Sequence, residues 1–431
     1  MTAQPASELL QGLDDPTGSH WDWQPQPEAQ QLVEELLLVF LERCPDSAAL
    51  GERIVSETGT HITDWVGVIL TPDTPETRER LARAGYVPRT TEFVDEDIHY
   101  AFGQPVGVFP DILLTDSDRM SVGLRVECIP DFFAINQLKG FEFVQGEPFA
   151  RARWAPIFRG ERAALWVMER HGYDGYHLAF EPAENRIAAM HHLERFRTRA
   201  RCFGNGCDGL ADAERAVGAA ADELGAHWAA ALFMQAEYEY FVRSHCAATA
   251  QANRQHAIGL GLTNVDHLVY ASSAMRLPRT LDLFAVLGFA ARERVPLGAG
   301  DTAHILEQPV NRDVVAVVAP SEGSPGRAGS WTALLGESLL ASGPAALALR
   351  GDPDELARQL GLHDPGTSKV AACPIPADTI EAAAADGLLD DGFARSLRTG
   401  GQIGPALTVL SRRDGFRGFT PEMLAWRTPG G

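Results

Sequence analysis

Thirteen histidines are spread over the 431 residues, and few stand beside a group with which an imidazole could do chemistry. In "ERHGYDGYHLAFEP", His171 and His177 bracket Tyr173 and Tyr176, a run that could wall a substrate site. In "MHHLERFRTRARCF", His191 and His192 precede Arg195, Arg197, Arg199 and Arg201. That run is either a solvated helix face balancing nearby acids or a basic lining for a carboxylate, which the arginine fork grips bidentately. Arg292 and Arg294, on the strand after a later helix, are candidate substrate-binding residues of the same kind. His245 and His256 are eleven apart, three helical turns, so they can share a face without meeting at one metal. Cys202 and Cys207 flank "FGNG", but no second pair exists to complete a zinc site. No phosphate-cradling glycine loop and no serine-nucleophile motif stands in the strand–turn–helix context it needs.

Composition narrows the partners. A formal net charge of -21 and a pI near 5.0 argue against nucleic acid, whose phosphates call for a basic footprint. No run approaches the roughly 20 apolar residues of a membrane span. "MTAQPASELLQGLDDP" has neither the basic start nor the apolar core of a signal peptide, and the six cysteines show no CxxC spacing. The expected partner is a small-molecule substrate and the expected compartment the cytoplasm.

Two stretches of the chain share an element order. "HITDWVGVILT" reads as a strand and "TPDTPETRERLARAGY" as a helix closed by Gly85. "VPRTTEFV", "IHYAFGQ" and "VFPDILLT" follow as three short strands. From Thr263, "TNVDHLVYAS", then "MRLPRTLDLFAVLGF" closed by Gly288, then "ARERVPL", "TAHILEQ" and "DVVAVVA" repeat that order. Gly85 and Gly288 are 203 apart, and the two Gln-Pro-Val triplets, at Gln104 and Gln308, are 204 apart. A duplicated β-α-β-β-β unit accounts for both spacings.

Such a unit used twice resembles the vicinal oxygen chelate superfamily, which includes glyoxalases, extradiol dioxygenases and antibiotic-sequestering proteins. The resemblance covers residues 60–118 and 262–320. It implies paired units around a shared site, with a metal-binding His on a first strand and a Glu on a later one. His267 in "VDHLVYAS" and Glu307 in "HILEQPV" match those places. Glu307 aligns with Gly103, so the first copy lacks the matching carboxylate. Two alignments compete on the first strand, one placing Trp65 and the other Asp64 opposite His267, with His61 close by. A complete site would therefore join His267 and Glu307 to His61 or Asp64. Two imidazoles and a carboxylate suit a divalent metal, Fe(II) first and otherwise Mn, Ni or Zn. His304, three residues before Glu307, points to the other sheet face in a regular strand.

The expected fold class is α+β, with two repeated βαβββ modules forming curled mixed sheets, a helical insertion between them and an α-rich C-terminal region. The expected boundaries are a disordered tail at 1–25, an N-terminal helix plus first module at 26–130 and a mixed or helical insertion at 131–255. The second module takes 256–322 and the α-rich region 323–431. The resemblance implies a metal-dependent dioxygenase or lyase acting on a small oxygenated (2-oxo or hydroxy) acid. The alternative is a non-catalytic small-molecule binding or sequestering protein on the same fold. The tail "RRDGFRGFTPEMLAW" carries too much apolar surface to remain in water, and is expected to dock on the core.

Overall fold

Proline in the first turn opens the two N-terminal helices, α1 (Pro27–Arg43) and α2 (Pro45–Thr58), where its missing N–H costs nothing. Gly59, at φ 67°, ends α2 in the left-handed conformation a glycine adopts without strain. The computed structural model describes residues 25–89, 98–172, 181–201, 203–204, 207–298, 301–320, 343–360, 369–374, 403–420 and 423–424, with helical residues at 380–381, 384, 395 and 398. The expected tail at 1–25 lies almost wholly outside them, as do His177, Cys202 and Trp426. Among the described residues no helix is long and apolar enough to cross a membrane.

The first sheet takes β1 (Val66–Pro72), α3 (Pro75–Arg83), β2 (Val87–Arg89), β3 (Ile98–Gly103) and β4 (Asp111–Thr115), then β5 (Met120–Arg125), α4 (Ile129–Ile135), β6 (Ala152–Arg159) and β7 (Ala163–Arg170). Its strand order is β2-β3-β4-β1-β5-β7-β6. A helical middle follows: α5 (Ala183–Arg197), the two-residue strands β8 (Phe203–Gly204) and β9 (Cys207–Asp208), α6 (Gly209–Leu224), α7 (Ala226–Ser244) and α8 (Cys246–Ala257). The second sheet takes β10 (Val265–Ala271), α9 (Leu277–Val286), β11 (Ala290–Gly298), β12 (Asp301–Glu307) and β13 (Val314–Pro320). It is completed by β14 (Ala346–Arg350), α10 (Pro353–Leu360), β15 (Lys369–Pro374) and β16 (Ile403–Leu410). Its order, β11-β12-β13-β10-β14-β16-β15, is the first sheet's order element for element. The class is α+β, with two mixed, open sheets.

Three expectations change. Each β-α-β-β-β unit pairs with the shorter unit that follows it, β1 against β5 and β10 against β14, and not with its distant copy. The insertion expected at 131–255 gives its first forty residues to the first sheet as β6 and β7. The region from 323, expected as α-rich, supplies β14, β15 and β16 beside α10. These strands are apolar on both faces and rich in alanine, so they show no alternation to read.

The Gln-Pro-Val triplets have a physical reason. Gln104 Nε2 donates to the carbonyl of Ala84 at the end of α3, and its Oε1 accepts from Val106 and Gly107 N–H. Gln308 repeats this on Leu287, Val310 and Asn311. Gly85 and Gly288, at φ 73° and 76°, let the chain turn beneath each amide. Both glutamines are buried. Q104A or Q308A leaves loop N–H groups and a helix-end carbonyl unpaired, so each is expected to lower unfolding free energy by about 1–3 kcal/mol in urea titration.

The helices cover one face of each sheet. Leu268, Tyr270, Val315, Val317, Leu347 and Leu407 face α5, α6, α7 and α9. The opposite, inner face of the second sheet carries small residues (Val269, Ala303, Ala316, Val318, Ala346, Ala406), and Phe419 and Leu424 of the tail pack onto them. The tail is docked as expected.

Candidate functional site

His267 owes its surroundings to a bulge. Val265 pairs with Leu349 and His267 with Ala348, leaving Asp266 as the extra residue on β10. In a regular strand, neighbours point to opposite faces; here Asp266 turns so that its Oδ1 lies 2.6 Å from His267 Nδ1. Arg412, just beyond β16, grips the same carboxylate bidentately, at 2.9 and 2.7 Å, and donates to the Gly418 and Phe416 carbonyls. Burial works to raise the Asp266 carboxyl, and Arg412 with His267 outweighs it, holding it well below the ordinary range. The carboxylate fixes the proton on Nδ1, so Nε2 carries the lone pair. That Nε2 is buried without a hydrogen-bond partner, and the ring stands edge-on to Phe419 at 5.1 Å.

The neighbours of His267 across the sheet decide what it can bind. Ala348 sits beside it on β14, and Thr408 beside Ala348 on β16, so the three share the inner face. Thr408 Oγ1 is also buried without a partner. Glu307 lies on that face too, because Glu307 pairs with Val314 and Leu268 with Val315. Two strand spacings, roughly 10 Å, separate the backbones of Glu307 and His267. The Glu307 carboxylate is held by Arg292 at 3.0 Å, by Arg312 at 3.4 Å and by Arg417.

The first sheet explains that clamp. Strand pairing sets Gly103 against Glu307, as the sequence alignment had it, and Arg89 against Glu293, with Arg292 the unpaired residue of a bulge just before it. Arg89 binds Asp111 at 2.9 Å, and a Cβ on Gly103 would meet the Arg89 side chain. Each half thus sets an arginine of its edge strand on a carboxylate, Asp111 of β4 in the first and Glu307 of β12 in the second. Glu307 is thus the counter-charge of Arg292.

His61 and Asp64 stay in the first half. They bound the turn before β1, where Asp64 accepts the His61 N–H at 2.8 Å, and the half-exposed His61 ring lies 3.7 Å from Asp352. Burial pushes the Asp64 carboxyl up. Neither Trp65 nor Asp64 is the counterpart of His267. β1 has the same bulge, with Val66 paired to Leu124 and Val68 to Gly123, so Val68 matches His267 and Gly67 matches Asp266. The strand copies are offset by 199 and the helix-ending glycines by 203, because the loop before α9 is three residues longer and α9 itself one residue longer than α3. Arg294 pairs with His304 on the face away from His267, and burial with Arg294 pushes His304 down to about 4.

Among the described residues no three His, Cys, Asp or Glu side chains are grouped to hold a metal. His267 supplies one donor. Ala348 and Thr408 add neither imidazole nor carboxylate, and Glu307 is committed to arginines. The described side chains therefore do not make up the donor set expected for Fe(II), Mn, Ni or Zn.

Beside this face lies a cavity of about 270 Å³, where the ends of β1, β5 and β7 meet those of β10 and β14 under α7. Asp266, Arg412 and Phe419 form part of its wall. Its lining holds seven arginines against six carboxylates. One of these, Asp313, accepts from Tyr238 at 2.8 Å, and burial pushes it up to about 6. In an acidic chain this is a locally cationic cavity, and it favours an anion.

The other histidines and the basic run have plainer roles. Arg197 pairs with Glu239, and Arg199 and Arg201 enclose the fully buried Glu237 with Tyr270. His192 meets Glu223 at 2.7 Å, and His245 caps α8. Sequence reasoning missed Arg125, Arg170, Arg350 and Arg412. The available signal was positional, since "GLR", "MER", "ALR" and "LSR" each put an arginine at or just past a strand end.

No family model and no curated protein matches the chain. Among solved structures it is similar to a mutant of 4-hydroxymandelate synthase from Streptomyces coelicolor, at 11% identity over 85% of this chain and 98% of that one, with TM-score 0.23. It is also similar to a glyoxalase I mutant from Zea mays, at 12% identity over 60% and 69% of the two chains, with TM-score 0.19. The Mn(II)-bound glyoxalase from Novosphingobium aromaticivorans aligns at 10% identity over 86% and 97%, with TM-score 0.19. Likeness at this level carries nothing about chemistry, which rests on the residues themselves.

Proposed function

We propose that this chain is a binding protein for a small organic acid, on an architecture resembling the vicinal oxygen chelate superfamily. The observation that carries the reading is the cavity between the two halves, whose arginines outnumber its carboxylates in a chain of net charge -21. Arginine forks match carboxylates in geometry. The cavity has room for about nine waters, which suits a metabolite and excludes a polymer.

A metal-dependent dioxygenase or lyase is the second reading, and one observation favours it. The buried Nε2 of His267, its tautomer fixed by Asp266, is the kind of nitrogen that ligates a metal. Both readings meet in one pair of measurements on the full chain. A panel of organic acids is titrated by calorimetry, and metal is measured in protein purified without added metal. The expected result is saturable acid binding with metal well below one per chain. About one Fe, Mn, Ni or Zn per chain, lost in H267A, would replace the first reading by the second.

A further inference from the structure

His267, Ala348 and Thr408 stand side by side on β10, β14 and β16, and all three are buried. Each is two residues from an inward-facing neighbour, Val269, Ala346 or Ala406, so the row lies on the inner face of the second sheet. Adjacent strands are roughly 4.8 Å apart, close enough for long donor side chains on all three to converge on one ion. The row offers instead one imidazole, one methyl group and one hydroxyl. His267 Nε2 and Thr408 Oγ1, on either side of the alanine, are both buried without a hydrogen-bond partner. The resemblance implies a metal here, and the described side chains do not fit one.

The tail lies against this row. The Phe419 ring stands edge-on to His267 at 5.1 Å and beneath the Arg412 guanidinium at 4.7 Å. With Leu424 it packs among Val269, Ala346 and Ala406. Asp266 holds Arg412 and Glu307 holds Arg417, whereas the first half has Gly67 and Gly103 at those two places. Two acids that the first half lacks therefore both grip arginines of the tail.

We infer that this face is the frame of a metal centre, short of two donors and closed by the chain's own tail. His267 keeps a ligand's position, Ala348 and Thr408 mark the absent donors, and Asp266 and Glu307 serve the tail. The inference concerns the inner face alone, so it stands or falls apart from acid binding in the cavity.

Zinc titration of the full chain by calorimetry tests it, with H267A added in each background to single out this row. Wild type and F419A are expected to show no zinc binding that H267A removes, because uncovering the imidazole supplies no further donor. A348H/T408E/F419A adds two donors and vacates the space of the ring. It is expected to bind one zinc per chain about 100-fold more tightly than wild type does at any site, and H267A should abolish that gain. Thermal melts check folding; should the triple variant not fold, T408E/F419A is read in its place, with an expected gain of about tenfold. One zinc per chain lost with H267A in wild type or in F419A overturns the inference, since a full donor set would then exist. A folded variant without the gain overturns it as well, since the row would not converge on an ion.

Discussion

R412M is expected to destabilise the protein by about 3–5 kcal/mol, because it leaves the Asp266 carboxylate buried without its guanidinium, with only the His267 imidazole beside it. Both side chains are almost wholly enclosed, at 6% and 4% exposure. The D266N change alone removes the charge but strands Arg412, at a similar cost. The double variant R412M/D266N should recover more than half of the summed loss, since neither partner then remains charged. Urea unfolding of the three variants at pH 7 measures this. The pH dependence has a definite sign. The folded carboxyl sits below its ordinary 3.8, so the contribution is full above that value and is lost as the pH falls through the folded pKa. Wild type and R412M should therefore converge in acid. Additive losses at pH 7 would show that the pair is not coupled.

E293Q is expected to act in the opposite sense and at the opposite end of the pH scale. Glu293 is buried on the inner face of the second sheet, across from Ile305, and burial raises its carboxyl from 4.5 to about 8. The folded protein then holds a proton that the unfolded chain has released. Wild-type stability should fall as the pH rises from about 4.5 to 8, while a glutamine mimics the protonated acid throughout. The two proteins are expected to be equally stable near pH 4.5. By pH 9 E293Q should lead by about 2–4 kcal/mol, an amount discounted for the Arg412 charge and for partial solvent access. An E293Q advantage that does not change with pH would mean that the carboxyl is ionised in the folded state.

How much was legible in the sequence depended on which side chains formed the strands. β1, β10 and β13 announce themselves as Val- and Ile-rich runs, and left-handed glycines end α3 and α9 visibly. The Gln-Pro-Val triplets stood out because one glutamine amide serves three backbone groups in each copy. β14 and β16 escaped notice because "ALALR" and "IGPALTVL" are built from alanine and leucine, which fit a helix as well as a strand. The counterpart of His267 was missed for a different reason. Loops accept extra residues cheaply, so an offset taken from the helices did not hold for the strand before them. Glu307 was expected as a metal ligand, but its partners are arginines from β11, the loop before β13 and the tail, three places no local pattern connects.

The bulge shared by β1 and β10 has a consequence for how the two halves could come to differ. Its extra residue belongs to no cross-strand pair, so its side chain can change without disturbing a neighbour's register. In the first half the place is empty of side chain, and an arginine leans across it; in the second an aspartate turns back on a histidine. The position works as a socket in an otherwise fixed frame. Exchanging its occupant rewires the local charge while every strand stays paired, so the two halves can share one scaffold and still present different groups to whatever enters between them.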